Sequence, residues 1–479
     1  MSSWSVVRSW GSALLLTVVL SGCATMRSYE GALGATLQQA SVGNVDGAIR
    51  QLESSSRATP KDVLYYSELG MLQRLGRRYE ESDKAWLAAQ ALIEGRERSA
   101  LAASKDALLA ASSYLISDRM RTYEMHDYEK VMLFTYVALN QLALGRFNDA
   151  RVAIKQTHEL EAQIAERRER QIAEVEADAK KRGAVVDFKE LNGYPVQVLD
   201  SPEVNALKNS YQSALSHYLA GFIYESLGEP SLAAPGYRLA NELQPRQPAL
   251  EEALRGLDQR VAAPPDGLTD VLFIVSSGAA PSLRAQQFMF PVIVDFRTVL
   301  IPVSFPVLLP SASDDAPTGL VIGGAQRLDL TPIASIDLMA RRGLKDDMPG
   351  IMLRAAIRST ASAVLQVQAQ RNSNSNAAPA LGLAVALASA IFQSADDRTW
   401  RTLPADIYIA RARLPPGVHS VSVRTRLGEN TARVNVSGRY AVIDFRVLSR
   451  QLFVQAAGAP VQDDDAGSGN ENASREGLQ

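Results

Sequence analysis

The spacing of apolar residues changes once along this chain. From residue 29 to about 260 they recur at helical intervals, and beyond about 268 they contract into short β-branched runs. In the first part, residues 29–39 predict a helix, Gly43-Asn44-Val45-Asp46 a turn, and Ala48, Ile49 and Leu52 one face of a second helix. Pro60 ends that pair, and 63–75 with 79–93 predict another. Ala48 and Ser82 hold the same place in their pairs, 34 residues apart, and Ala150 lies two such periods further on. One degenerate unit, 97–130, fits between. Self-similarity at this period predicts helix pairs stacked into a solenoid.

The sharpest unit runs from Ala214 to Pro245. Small residues fall where two helices would touch (Gly221, Ala233, Ala240), rings where they would fill (Tyr224, Tyr237), glycine at the turn (Gly228) and proline at the stop (Pro245). This pattern resembles the tetratricopeptide repeat, and Gly70, Ser82, Trp86 and Ala150 match it in the earlier units. The resemblance implies that the first helix of each unit, here roughly 61–75, 130–144 and 205–227, lines a concave surface open to protein partners. It also implies that 24–260 folds alone. Between Ala150 and Ala233 the spacing is 83 residues, 15 beyond two periods, so an insertion interrupts the stack. Residues 159–182, dense in both signs of charge, predict a solvated helix, and 185–202 an irregular loop. Residues 250–257 can cap the array.

Ala262-Ala263-Pro264-Pro265-Asp266-Gly267 predicts a linker. Beyond it strands are expected at 271–275, 288–290, 299–309 and 320–322, with Pro302, Pro306 and Pro310 confining the third to a sheet edge or a loop. Helical spacing returns over 333–344 and 348–370, and 380–392 is apolar all round. At about 20 Å, that last stretch is too short for the roughly 30 Å hydrocarbon core of a bilayer, so a buried helix is expected. Strands follow at 407–409, 418–424, 432–436, 441–447 and 452–455. The fold class is therefore α+β multidomain: an all-α solenoid over 23–260, a linker over 261–267, a β-rich domain with inserted helices over 268–456 and a disordered acidic tail over 457–479.

A net charge of −2 over 479 residues argues against nucleic acid as the main partner. Cys23 is the single cysteine, which excludes an intramolecular disulfide and a cysteine metal cluster. Its setting is informative: Arg8, the apolar run 13–20, then Leu20-Ser21-Gly22-Cys23. That tetrapeptide resembles the bacterial lipobox, which implies removal of 1–22, acylation of Cys23 and insertion of its chains into a bilayer. Ala24 is not the aspartate that retains such proteins at the inner membrane, so the expected address is the periplasmic face of the outer membrane. No catalytic constellation is legible. His126, His158, His217 and His419 are scattered, Gly319-Leu320-Val321-Ile322-Gly323-Gly324 lacks the lysine and spacing of a phosphate loop, and neither a cofactor nor a metal is expected.

Three segments look built: 277–284 as a fixed turn, 414–423 as a turn opening a strand, and 396–404 as a packed, salt-bridged corner around Trp400. With the lipobox and the repeats they resemble a family of uncharacterised tetratricopeptide-containing lipoproteins of Gram-negative bacteria. The mark Ala-Asp-x-Arg-x-Trp-x-x-Leu-Pro is matched by 395–404, and Tyr128-Glu129-Lys130-Val131 also fits. The resemblance implies a non-enzymatic scaffold that binds envelope proteins through its solenoid, in cell-envelope assembly and more narrowly in peptidoglycan synthesis. The alternative is an accessory part of a secretion or surface-fibre system.

Overall fold

The computed structural model describes residues 29–56, 61–103, 122–181, 195–263, 266–294, 297–309, 314–352 and 395–456. Cys23, the apolar stretch 380–392 and the acidic tail lie outside them.

Helices come first, in pairs. They are α1 (Tyr29–Ser41) with α2 (Val45–Ser55), α3 (Val63–Leu75) with α4 (Tyr79–Ala103), and α5 (Asp127–Ala143) with α6 (Phe147–Lys181). The short α7 (Val196–Leu199) and α8 (Pro202–Ala206) lead into α9 (Ala214–Ser226) and α10 (Pro230–Leu243), and α11 (Pro248–Arg255) and α12 (Leu257–Ala262) close the array. Side chains of Asn44, Asp62 and Ser213 accept the first free amides of α2, α3 and α9. Each pair turns on one left-handed residue: Gly43, Arg77, Gly145 and Gly228, at φ +84°, +60°, +71° and +77°. Their spacing repeats that of Ala48, Ser82, Ala150 and Ala233, so the repeat register is written in the backbone as well as in the packing.

Packing within pairs depends on missing side chains. A Cβ on Gly70 would sit 2.2 Å from the Trp86 indole, and one on Gly221 would sit 2.6 Å from the Tyr237 ring. Ser82 Oγ donates to the Gly70 carbonyl at 2.7 Å, which joins α3 to α4 at the same point. Trp86, Ala150, Ala233, Tyr237 and Ala240 are buried, Tyr224 is half-buried, and Pro245 lies exposed in the turn that follows α10.

The second part holds two facing sheets. One has strand order β11-β10-β1-β7-β6 and the other β5-β4-β8-β9. In chain order these are β1 (Thr269–Ser277), β4 (Pro317–Ile322), β5 (Gln326–Leu328), β6 (Thr331–Ser335), β7 (Asp406–Leu414), β8 (Gly417–Thr425), β9 (Gly428–Val436), β10 (Tyr440–Leu448) and β11 (Gln451–Ala456). A separate ribbon pairs β2 (Ser282–Val294) with β3 (Arg297–Leu309). β1 sits at the centre, parallel to β10 and antiparallel to β7. Val271, Phe273 and Val275 point into the core between the two sheets, while Leu272 and Ile274 point into the core shared with the helices. Both faces are covered, which is why this run lacks the polar alternation of a half-exposed strand. The molecule is thus three layers deep: helices, five-stranded sheet, four-stranded sheet.

Several expectations are corrected. Residue 333 lies in β6, and the helix after it, α13, is described over 336–352; pairing with β7 takes Thr331–Ser335 into the sheet. α4 runs on to Ala103 rather than stopping at 93, the short α7 forms inside the expected loop 185–202, and the helix expected over 205–227 begins only at Ala214, after the short α8. The charged stretch of α6 is not simply solvated: Leu160, Glu161 and Ile164 are buried, and Arg168 bridges Asp127 to Asp347 of α13. The edge position expected for the run with Pro302 and Pro306 holds: both fall in β3, part of a two-stranded ribbon in which each strand has an unpaired side among the described residues.

Candidate functional site

The inner faces of α3, α5 and α9 carry an unusual set of buried ionisable side chains: Glu68 and Arg74, Glu129, and Glu225. Charges so placed need partners, because an unpaired buried ion costs several kcal/mol. All four find theirs in the second half of the same chain.

The segment 395–404 runs across the helices without regular structure of its own. Glu129 accepts Trp400 N at 2.6 Å, Thr399 Oγ1 at 3.0 Å and His126 N at 3.0 Å, and the Tyr123 hydroxyl also donates to it. Glu68 accepts Arg401 N at 2.8 Å, Thr402 N at 3.0 Å and the Tyr29 hydroxyl at 3.0 Å. Two carboxylates thereby hold three consecutive backbone amides of one extended segment. Burial pushes the Glu68 carboxyl up to about 7 against the pull of those donors. Between the carboxylates the Trp400 ring packs edge-on to Trp86, 6.3 Å between centroids, and its Nε1 donates to Thr402 Oγ1 at 2.9 Å. Arg401 reaches Glu30 at 2.7 Å. The corner expected around Trp400 is present, and its anchors are on the helices.

Two further pairs fasten the sheet. Arg74 meets Asp444 of β10 at 2.6 Å while Asn140 accepts from the same guanidinium. Arg411 of β7 lies between Asp270, at 2.6 Å, and Glu225, at 2.6 Å, with the Phe222 ring 5.3 Å from its guanidinium carbon. Glu225 also accepts from Arg260 at 2.8 Å and from the Tyr237 hydroxyl at 2.6 Å. Burial pushes its carboxyl up, but these hydrogen bonds outweigh it and hold the group at about 2.

The concave surface expected to stay open for a partner is therefore occupied by the chain's own sheet. The first helices of the repeats face inward onto it. Of their signature residues, Gly70, Ser82, Trp86, Ala150, Gly221, Ala233, Tyr237 and Ala240 lie in the interiors of the helix pairs, Tyr224 is half-buried, Gly228 forms a turn with nothing within 4 Å of its Cβ position, and Pro245 is exposed. His217 packs too: its ring stacks on His158 at 4.3 Å and contacts Glu161 at 2.9 Å. Burial, then the charge of His217, press His158 down to about 3. Sequence reasoning missed Glu68, Arg74, Glu225 and Arg411, and marked Glu129 only as part of the 128–131 segment, without a role. A charge on a repeat's inner face reads the same whether it meets a partner or a distant part of its own chain.

One opening on this seam is a cleft of about 610 Å³ between α11, α12, β7 and the end of β5. Among the described residues no group of three or more His, Cys, Asp or Glu is placed to hold a metal, and no helix is long and apolar enough to cross a membrane.

No protein-family model matches the chain, and no curated protein matches it. Among solved structures, a tetratricopeptide repeat protein from Parabacteroides merdae aligns over 48% of this chain and 98% of its own, at 14% identity and a TM-score of 0.14. At that score the likeness carries no argument. The repeat architecture rests on the turns and the helix packing described above.

Proposed function

We propose that this protein is a lipid-anchored scaffold on the periplasmic face of the outer membrane, binding protein partners in cell-envelope assembly, with peptidoglycan synthesis as the narrower process. The lipobox ending at Cys23 supports the address. The observation that carries the scaffold role is how the buried charges are used. Glu68, Glu129, Glu225, Arg74 and Arg411 bond to this chain's own backbone and side chains, so they hold the helices and the sheet in one body rather than standing ready for a substrate. Partners then meet its outer surfaces and clefts.

The test is in-cell cross-linking of the wild-type protein and of Cys23→Ser, followed by membrane fractionation and identification of the captured proteins. Wild type is expected in the outer-membrane fraction with envelope proteins enriched on it. Recovery in the cytoplasm, or capture of the same proteins at the same level by an unrelated lipoprotein of similar size, would sink the reading.

A further inference from the structure

β7 is longer than the strand beside it. It spans nine residues, Asp406–Leu414, but β6 pairs with it only from Asp406 to Ile409. Past Ile409 no described strand is hydrogen-bonded to that side of β7, although the end of β5 passes close to it. The direction of its backbone follows from the sheet itself. Asp270 N donates to Arg439 O at 2.9 Å, so even-numbered residues of β1 turn their amides and carbonyls toward β10 and odd-numbered ones toward β7. With Phe273 opposite Ala410 and Val271 opposite Ala412, those two β7 residues bond to β1. The N–H and C=O groups of Arg411 and Arg413 therefore point the other way, into the 610 Å³ cleft, whose floor includes 409–413. No backbone partner for them occurs among the described residues.

We propose that an extended peptide of a partner protein adds to this open edge as a strand, alongside 411–413 and inside the cleft. This deepens the scaffold reading by naming where a partner docks and in what form. Donors and acceptors recurring every second residue, about 6.8 Å apart, match the backbone of an extended chain, and such edges are a recurrent mode of peptide recognition. The walls supply the side-chain environment: Ala249 and Ala253 of α11 on one side, Leu328 and Asp329 on the other. Volume agrees, since ligand clefts at domain interfaces run from about 300 to 1,000 Å³. The rim carries both signs, Glu252 and Asp329 against Arg413 and Arg439, so backbone pairing rather than net charge drives the association.

The probe is a displayed library of random eight-residue peptides, selected on the mature chain carrying Cys23→Ser. Selected peptides should lose at least tenfold in affinity on Arg413→Pro, which removes one outward N–H and leaves the bonds to β1 intact, and less than threefold on Arg413→Ala. A second arm leaves the protein unchanged. N-methylating every other amide of a selected peptide should abolish binding in one frame and spare it in the other, because alternate amides of a strand face opposite ways. Binding indifferent to frame and to Arg413→Pro, or a library that yields no binder, would overturn the proposal. A cell-based capture that finds no envelope partner would refute the scaffold reading and leave these outcomes untouched.

Discussion

Arg411→Met removes one guanidinium from between two carboxylates while keeping an unbranched side chain of similar reach. Glu225 retains Arg260 and the Tyr237 hydroxyl, but Asp270 loses both of its charged hydrogen bonds from Arg411. The Arg411 and Asp270 side chains are 17% and 11% exposed, and Glu225 is 0% exposed, so solvent restores little. Breaking such a buried pair costs roughly 3–5 kcal/mol. The Glu225 carboxyl, held at about 2 rather than at the ordinary 4.5, corresponds to on the order of 3 kcal/mol from all its partners together, of which Arg411 supplies a share beside Arg260 and Tyr237. The sign follows from the depressed value: this contribution is present above about pH 4.5 and is lost as pH falls toward 2. Urea unfolding of both proteins from pH 7 to pH 3 is the assay. The variant should be less stable by roughly 3–5 kcal/mol at pH 7, with the gap narrowing below pH 4.5. A loss under about 1 kcal/mol, or a gap that ignores pH, would refute the claim that this ion cluster fastens the sheet to the helices.

Glu68 should act with the opposite pH sign: its folded value of about 7 lies above the ordinary 4.5, so its contribution is complete below pH 4.5 and disappears as pH rises through 7, a slope that Glu68→Gln should flatten in the same titration. Arg77→Gly relieves a left-handed residue and should raise stability by about 1 kcal/mol, read as an upward shift of the thermal midpoint. Gly70→Ala, which meets the Trp86 indole, should cost roughly 1–3 kcal/mol, whereas Gly34→Ala, with nothing within 4 Å of the new Cβ, should be neutral or mildly stabilising by the same measure. Cys23→Ser should end metabolic labelling with palmitate; persistent label would place the acyl chains elsewhere.

Much of the architecture was legible because it is periodic. α3 matches the expected 63–75, and the change to strands appears where the apolar runs shorten after Gly267. What the pattern could not carry was the third dimension of the repeats. Glu68 and Glu129 sit on helices whose inner faces read as a docking surface, and the segment they hold, 395–404, lies about 270 to 330 residues away with no period to connect it. The double covering of β1 was visible as an unbroken apolar run, but not what covered it. β6 was missed because five residues beginning Thr-Pro, followed at once by a helix, offer too little alternation to separate strand from helix start. The open edge of β7 is a matter of register, which single-strand patterns do not encode.

The central claim is that helices and sheet form one cooperative body, against the initial expectation that 24–260 folds alone. Scanning calorimetry of the mature chain and of the isolated segment 24–262 tests it most directly. The account predicts a single transition for the full chain, with calorimetric and van't Hoff enthalpies in agreement. It predicts no native-like cooperative transition for the segment, which would strip the Phe222 ring of Tyr440 and Arg411 and take from Glu68, Glu129 and Glu225 the partners that the second half supplies. A segment that melts cooperatively at the temperature of the full chain, or a full chain with two separate transitions, would contradict it.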